Sequence, residues 1–157
     1  MFRNLRRIKQ QLTPQECHKI LKEERRAILA VHGDDGYPYA IPVNFFFDQE
    51  ENKIFIHCSK EGHKLDAIRK NSKVCLTLYD QGYQKDDWSY YVKSVVVFGQ
   101  ATEMNDGPEK YNKCKALGAK YIPTTEELEH EMDKAFSRVN MLCITIDHIS
   151  GKLVHEK

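Results

Sequence analysis

The sequence predicts a mainly β protein with helices, a six-stranded antiparallel Greek-key barrel, on three observations. Six short segments concentrate Val, Ile, Phe and Tyr or alternate apolar with polar residues. Most follow one another through turn-length stretches, as hairpins do, rather than through βαβ crossovers. Helical periodicity is confined to a few connections. Closing the sheet into a ring would also remove long exposed edges.

Thr13-Pro14-Gln15-Glu16 has the elements of a helix start: Thr as N-cap, Pro at the first helical position and Glu three residues on to close a capping box. The helix should run to about Arg25. Arg26–His32 then reads as a strand, Gly33-Asp34-Asp35-Gly36 as a turn, and Tyr37–Phe47 as the long hairpin partner. After a turn at Asp48–Asn52, Lys53–Cys58 is the third strand. Leu65 and Ile68, spaced i, i+3, mark a short helix. Val74–Tyr79 is the fourth strand, Asp80–Asp87 a loop, and Ser89–Met104 a fifth strand in which Gly99 marks a bulge or bend. Residues 107–138 turn helical in two pieces divided by Ile122-Pro123-Thr124, with Thr124 or Thr125 capping the second. Met141–Ile149 is the sixth strand, ended by Ser150-Gly151-Lys152. No repeat or low-complexity segment interrupts the chain, so residues 1–157 are expected to form one domain with an N-terminal helix and a helical insertion.

Composition narrows the function classes. Of 157 residues 41% are apolar, enough for a sizeable core. With 24 Lys and Arg against 23 Asp and Glu, the net charge of +1 gives no general field for nucleic acid or an anionic membrane. The basic arm Arg3, Arg6, Arg7, Lys9 is read as a solvated face rather than a nucleic-acid contact. The longest apolar runs, Phe45–Phe47, Ile54–Ile56 and Val95–Phe98, fall far short of the roughly 20 residues that cross a bilayer. The first residues lack an apolar export signal, so a cytoplasmic protein is expected. The five scattered cysteines form no Cys-x-x-Cys pair, which favours free thiols over disulfides or a zinc site.

Ile54-Phe55-Ile56-His57-Cys58-Ser59-Lys60-Glu61-Gly62-His63-Lys64-Leu65 is the most informative stretch. Helix N-termini favour acidic residues in the first turn, yet here His63 and Lys64 occupy it. A phosphate bound by Ser59, the Gly62 backbone, His63 and Lys64 would resolve that conflict. The alternative is a lysine extended into water. Pro42, inside a strand, implies an edge, bulge or bend whose freed backbone groups could meet the rim of a flat heterocycle. A simple barrel bend explains it equally. Tyr83, Trp88, Tyr90 and Tyr91 could stack on a ring system or fill a core or subunit interface. His57 is either a ligand or a pocket wall, and its spacing to His63 is not a zinc signature.

The segment from Ile54 to Leu65, followed by Tyr91-Val92-Lys93-Ser94-Val95-Val96-Val97-Phe98-Gly99 and then by Ile144-Thr145-Ile146-Asp147-His148-Ile149-Ser150-Gly151-Lys152, resembles the nitroimidazole-resistance branch of the pyridoxamine 5'-phosphate oxidase-like flavoproteins. The similarity covers about Arg26 to Lys152. It implies a split β-barrel that dimerises and binds FMN between subunits. On that resemblance Val43 and Asn44 would lie beside the isoalloxazine, His57 and Ser59 along the ribityl and phosphate path, and Lys64 on the phosphate. Tyr91 and Ser94 would lie near the cofactor or the subunit boundary. True pyridoxamine phosphate oxidases end in Arg-x-His and Leu-Ala-Pro. This chain finishes Lys152-Leu153-Val154-His155-Glu156-Lys157, so vitamin B6 oxidation is not expected.

The resulting expectation is an FMN-dependent reductase that passes electrons, with NAD(P)H as a possible donor, to a small acceptor such as a nitroaromatic or quinone. The flavin would carry the chemistry and the protein would supply position and polarity. The rival is a non-catalytic flavin- or haem-binding protein of the same fold. Val95–Phe98 beside Trp88, Tyr90 and Tyr91 exceeds what a small barrel needs inside, which points to a homodimer.

Overall fold

The computed structural model describes residues 2–157. The capping box at Thr13 forms as the sequence dictates. Thr13 Oγ1 accepts from Glu16 N at 3.3 Å and Glu16 Oε2 accepts from Thr13 N at 2.9 Å, opening α1 (Pro14–Glu23). The strands are β1 (Arg26–His32), β2 (Pro38–Asp48), β3 (Lys53–Cys58), β4 (Lys73–Tyr79), β5 (Tyr83–Gln84), β6 (Tyr90–Glu103) and β7 (Asn140–His155). Helices α2 (His63–Lys70), α3 (Pro108–Tyr121) and α4 (Thr125–Ala135) complete the fold, with Thr124 capping α4.

Every strand pairing is antiparallel. Going round the ring, β1 is followed by β2, β3, β7, β6 and β4, and the β4–β1 pairing closes it. The six-stranded split barrel is therefore observed, with one addition. Within the expected loop Asp80–Asp87, Tyr83 and Gln84 form β5 against Tyr91 and Tyr90 of β6. Two residues with no alternation leave no pattern for a reading by period to detect.

The sequence pattern ends the sixth strand at Ile149, with Ser150-Gly151-Lys152 as its stop. The observed β7 passes straight through to His155, because the N-terminal half of β6 offers it a partner and Val95 pairs with Gly151. Gly151 is there for closeness rather than for a turn. A Cβ on it would sit 2.5 Å from Cys17 Sγ and 3.0 Å from Leu12 Cδ1, so its bare backbone is what lets the start of α1 lie on the sheet. Gly99 does mark a bulge, since the β6–β7 register shifts between Phe98 and Gly99.

Two apolar clusters divide the molecule. The barrel interior is filled by inward residues such as Leu29, Phe45, Ile54, Ile56, Leu76 and Val97, sealed at one end by Cys17, Ile20 and Leu21 of α1. A second cluster lies outside the barrel wall. Phe55 and Met141 point outward there and meet Cys114 and Leu117 of α3 and Leu128 and Met132 of α4. β3 is thus covered on both faces, which explains why Ile54-Phe55-Ile56 is an unbroken apolar run. Each such side chain, fully buried, contributes about 1.5–3 kcal/mol.

The bulge yields a stability prediction. A Cβ at Gly99 would lie 2.5 Å from the Thr145 carbonyl oxygen and 2.7 Å from Ile144 Cγ2, so backbone must shift to admit it. Gly99→Ala should cost about 1–3 kcal/mol, at about 2–4 °C of melting temperature per kcal/mol for a chain of this size. Equilibrium denaturation reads the loss directly, and an unchanged midpoint would contradict this account of the bulge.

Candidate functional site

The site begins where two strands part company. β2 and β3 pair only through Phe45↔Ile56 to Asp48↔Lys53. Beyond that point β2 continues from Asn44 back to Pro38 beside β1 alone, while β3 continues through His57 and Cys58 beside β7. Among the described residues the β2 edge from Tyr39 to Asn44 is therefore without a strand partner, over about 17 Å of extended chain. Pro42 sits within this open stretch, paired with Ile28 on the closed side. The edge reading of that proline holds, and the simple-bend alternative is not needed.

Facing the open edge are the last residues of β3, the Ser59–Gly62 turn and the start of α2. At the far end of the groove the His63 ring stacks on Tyr39, centroids 4.2 Å apart at 26°, and its Nε2 lies 3.4 Å from Asp34 Oδ2. Gly62, at φ 133, turns the chain into α2 without a side-chain cap; the Leu65 and Asp66 N–H groups close onto the Gly62 carbonyl, and among the described residues those of His63 and Lys64 find no such partner. Lys64 follows in that turn and has no carboxylate within ion-pair distance among the described residues. The Ser59 hydroxyl donates to the Glu61 carbonyl at 2.6 Å, which shapes the turn. α2 is fixed at its other end. Arg69 donates to Glu103 Oε1 and Oε2 at 2.6 and 3.0 Å, and Asn140 Nδ2 donates to Glu103 Oε2 at 2.6 Å. The Arg69 contact, above all, holds the Glu103 carboxyl below its usual range.

At the near end of the groove stand Asn44 and His57. The His57 side chain is exposed, yet partial desolvation, aided by the Lys64 charge, lowers its imidazole pKa from the ordinary value and so favours the neutral ring. The same two residues line a cleft of about 370 Å³ on the other side of the parting, walled by α3, α4 and the second apolar cluster. What holds α3 against the parting is Tyr121. Its hydroxyl donates to the Arg25 carbonyl at 2.6 Å, accepts from Phe45 N at 2.9 Å and lies 3.0 Å from the Phe45 carbonyl oxygen. One phenol thus ties the entry of β1 to β2 at the point of divergence. Beside it, Lys120 donates to the Glu24 carbonyl that ends α1, and burial pushes its ammonium pKa down to about 8.

The sequence-predicted residues sort accordingly. Asn44 and His57 line one cleft, His63 stacks on Tyr39 of the open edge, and Ser59 and Lys64 lie in the turn and first helical turn on either side of Gly62. Val43 points into the barrel core, 9% exposed, and could offer a ligand only its backbone. Tyr91 and Ser94 do not join the groove within this chain. They lie toward the opposite end of β6 from Glu103, Ser94 being about 30 Å away along the strand. There Tyr91 stacks on His155 with centroids 4.2 Å apart. Tyr121, Arg69, Glu103 and Asn140 were not anticipated. Tyr121 carries no sequence signal beyond ending a helix ahead of Ile-Pro, and the other three meet only through the topology.

This arrangement has relatives. A family model described as pyridoxamine 5'-phosphate oxidase matches residues 13–153. The chain belongs to that family. Among solved structures of the same fold is a candidate 5-nitroimidazole antibiotic resistance protein from Bacteroides thetaiotaomicron. It has a TM-score of 0.81 and 19% identity, over 92% of this chain and 87% of that one. An FAD-binding protein from Mycobacterium smegmatis follows at a TM-score of 0.66 and 18% identity, with 94% and 99% covered. An FAD- and haem-binding protein from the same organism aligns at a TM-score of 0.72 and 21% identity, with 94% and 74% covered. At these identities the likeness shows the fold. No match was found among curated proteins. Among the described residues no cluster of side chains suited to a metal is present, and no helix is long and apolar enough to cross a membrane.

Tyr121 offers the decisive structural test. Tyr121→Phe keeps the ring but strips the partner from Phe45 N–H and from the Arg25 carbonyl, so it should cost about 1–3 kcal/mol. Chemical denaturation measures the cost. Amide exchange should show faster opening at Phe45, and an unchanged Phe45 amide would remove Tyr121 from the parting.

Proposed function

We propose that this chain is a homodimeric FMN-dependent oxidoreductase whose cofactor lies along the open edge of β2 and which reduces a small acceptor such as a nitroaromatic or a quinone. The observation that carries this reading is the groove itself. A strand edge with unpaired backbone groups runs for about 17 Å toward an uncapped helix start and a lysine that lacks a carboxylate partner. That is the sequence of environments a flat heterocycle, a polyol chain and a phosphate would meet in turn. Flavin-binding proteins among the structures of this fold support it.

Bound there, the flavin supplies the electron transfer. The protein supplies the rest. The freed N–H and C=O groups of Asn44 and its neighbours orient the ring edge, while His57, kept toward its neutral form, adds polarity beside it without adding charge. Lys64 and the α2 N–H groups hold the phosphate. Ser59 contributes its hydroxyl once it releases Glu61, and His63, stacked on Tyr39, closes that end of the groove.

The dimer reading rests on an outward face wider than the sequence suggested. Val95 and Val97 are fully buried in the barrel, so only Val96 and Phe98 of that strand face outward. Cross-strand rows Pro42–Ile28–Thr77–Val96 and Ala40–Ala30–Cys75–Phe98 extend the apolar surface over β2, β1, β4 and β6. Ile28, Phe98 and Tyr79 are 37%, 38% and 67% exposed, which a lone domain has no reason to maintain across one face. A second copy docked there would bring its own β6, with Tyr91 and Ser94, toward the groove.

Three measurements test this reading. Lys64→Ala should weaken FMN about 10- to 150-fold, the loss of a charge-assisted contact of roughly 1.5–3 kcal/mol, and leave riboflavin nearly unaffected. Equal losses for both ligands would displace the phosphate from Lys64. A purified protein showing a Soret band in place of flavin absorbance would overturn the FMN assignment. Sedimentation at low micromolar concentration should give one dimeric species, and Ile28→Arg, placing a cation in the outward face, should convert it to monomer with loss of flavin. A flavin-loaded wild-type monomer would sink the dimer.

A further inference from the structure

We infer that the α3–α4 cleft is the acceptor site and that it selects uncharged, largely apolar molecules of one or two rings. The acceptor role rests on the flavin reading above, whereas the ligand class rests on the cleft alone. Asn44 and His57 belong to both spaces: they end the groove along β2 and they form the polar floor of the cleft. A ring lying on the groove side of the parting would therefore abut whatever enters between the helices.

The walls define the chemistry. Leu117, Ile122, Leu128, Met132 and Phe136 supply apolar surface, and the polar groups are few: Asn44, His57, the Tyr121 hydroxyl and Glu131. Among the described residues no lysine or arginine lines the cleft. The cations of α3 that could have reached an anion are engaged elsewhere. Lys113 pairs with Asp48 at 2.8 Å and with Glu51, Lys110 pairs with Asp106 at 2.7 Å, and Lys120 is held by the Glu24 carbonyl. Tyr121 already serves three backbone groups. Glu131 is paired with Lys134 at 3.8 Å, so that cation too is engaged, and a carboxylate or phosphate buried here would meet an acidic side chain and no unpaired cation among the lining residues. At about 370 Å³ the cleft lies at the small end of ligand pockets, which suits one or two rings rather than a nucleotide.

Calorimetric titration of the purified protein with 4-nitroanisole and with 4-nitrobenzoate tests this, since the two share a ring and differ in charge. The neutral compound should bind at least about tenfold more tightly. Ala135→Trp, which fills the cleft from the end of α4, should weaken 4-nitroanisole by about tenfold or more and leave FMN affinity within about twofold. The inference is overturned if 4-nitrobenzoate binds as well as the neutral ring, or if folded Ala135→Trp retains 4-nitroanisole affinity. Should that variant fail to fold, the comparison of the two probes on wild type decides. Retained 4-nitroanisole binding in a protein that takes up no FMN would sink the flavin reading and uphold the ligand class.

Discussion

The parting of β2 from β3 at Phe45 and Ile56 is the constraint on which the rest of this structure depends. Separating two strands inside a barrel wall exposes backbone donors and acceptors that must find partners or water. At the hinge the Tyr121 hydroxyl bridges Phe45 to the Arg25 carbonyl on the β1 side, and the edge of β2 that β3 has left stays open as a groove. Because Tyr121 ends α3, the helix must pass close to the parting. The outward residues Phe55 and Met141 then acquire cover, and the second apolar cluster exists for that reason. The groove and the cleft are two faces of one decision in the sheet.

Most of the ring was legible because its strands alternate or run apolar between turn residues. Arg26–His32 and Lys53–Cys58 were read with their observed bounds. Gly151 misled because glycine marks both turns and close approaches, and only the positions of Leu12 and Cys17 decide between them. Ser59, His63 and Lys64 sit in one short stretch whose helix-start pattern is readable locally, whereas Asn44 and His57 were reached through the family resemblance. The Arg69–Glu103–Asn140 network joins three distant segments by topology, and no local pattern encodes it. The outward apolar face on which a dimer is proposed was only half legible. Period two sends Val95 and Val97 inward, and the outward row continues into β1, β2 and β4, where residues as small as Ala30 and Ala40 give no sign in isolation.

Charge is distributed to the same end. With nearly equal numbers of cations and anions, most lysines that approach the site are paired or bound to a carbonyl. Lys64 stands out against that background, as does the bias of His57 toward its neutral form. A neutral ring face beside one cation is an environment that separates the parts of an amphipathic ligand by where charge is tolerated.

β7 is the last strand of the ring in chain order, and it seals two seams at once, against β3 and against β6. While the chain is being made, β1, β2 and β3 can zip together as hairpins, but the free edge of β3 must wait for a partner roughly a hundred residues downstream. At synthesis rates of about 5–20 residues per second, that wait lasts about 5–20 s. For that interval the apolar run Ile54–Ile56 sits at a raw sheet edge, a template for misplaced pairing with another nascent chain. The long final strand that seals two seams therefore leaves the growing polypeptide with an exposed apolar edge until the last part of the chain is made.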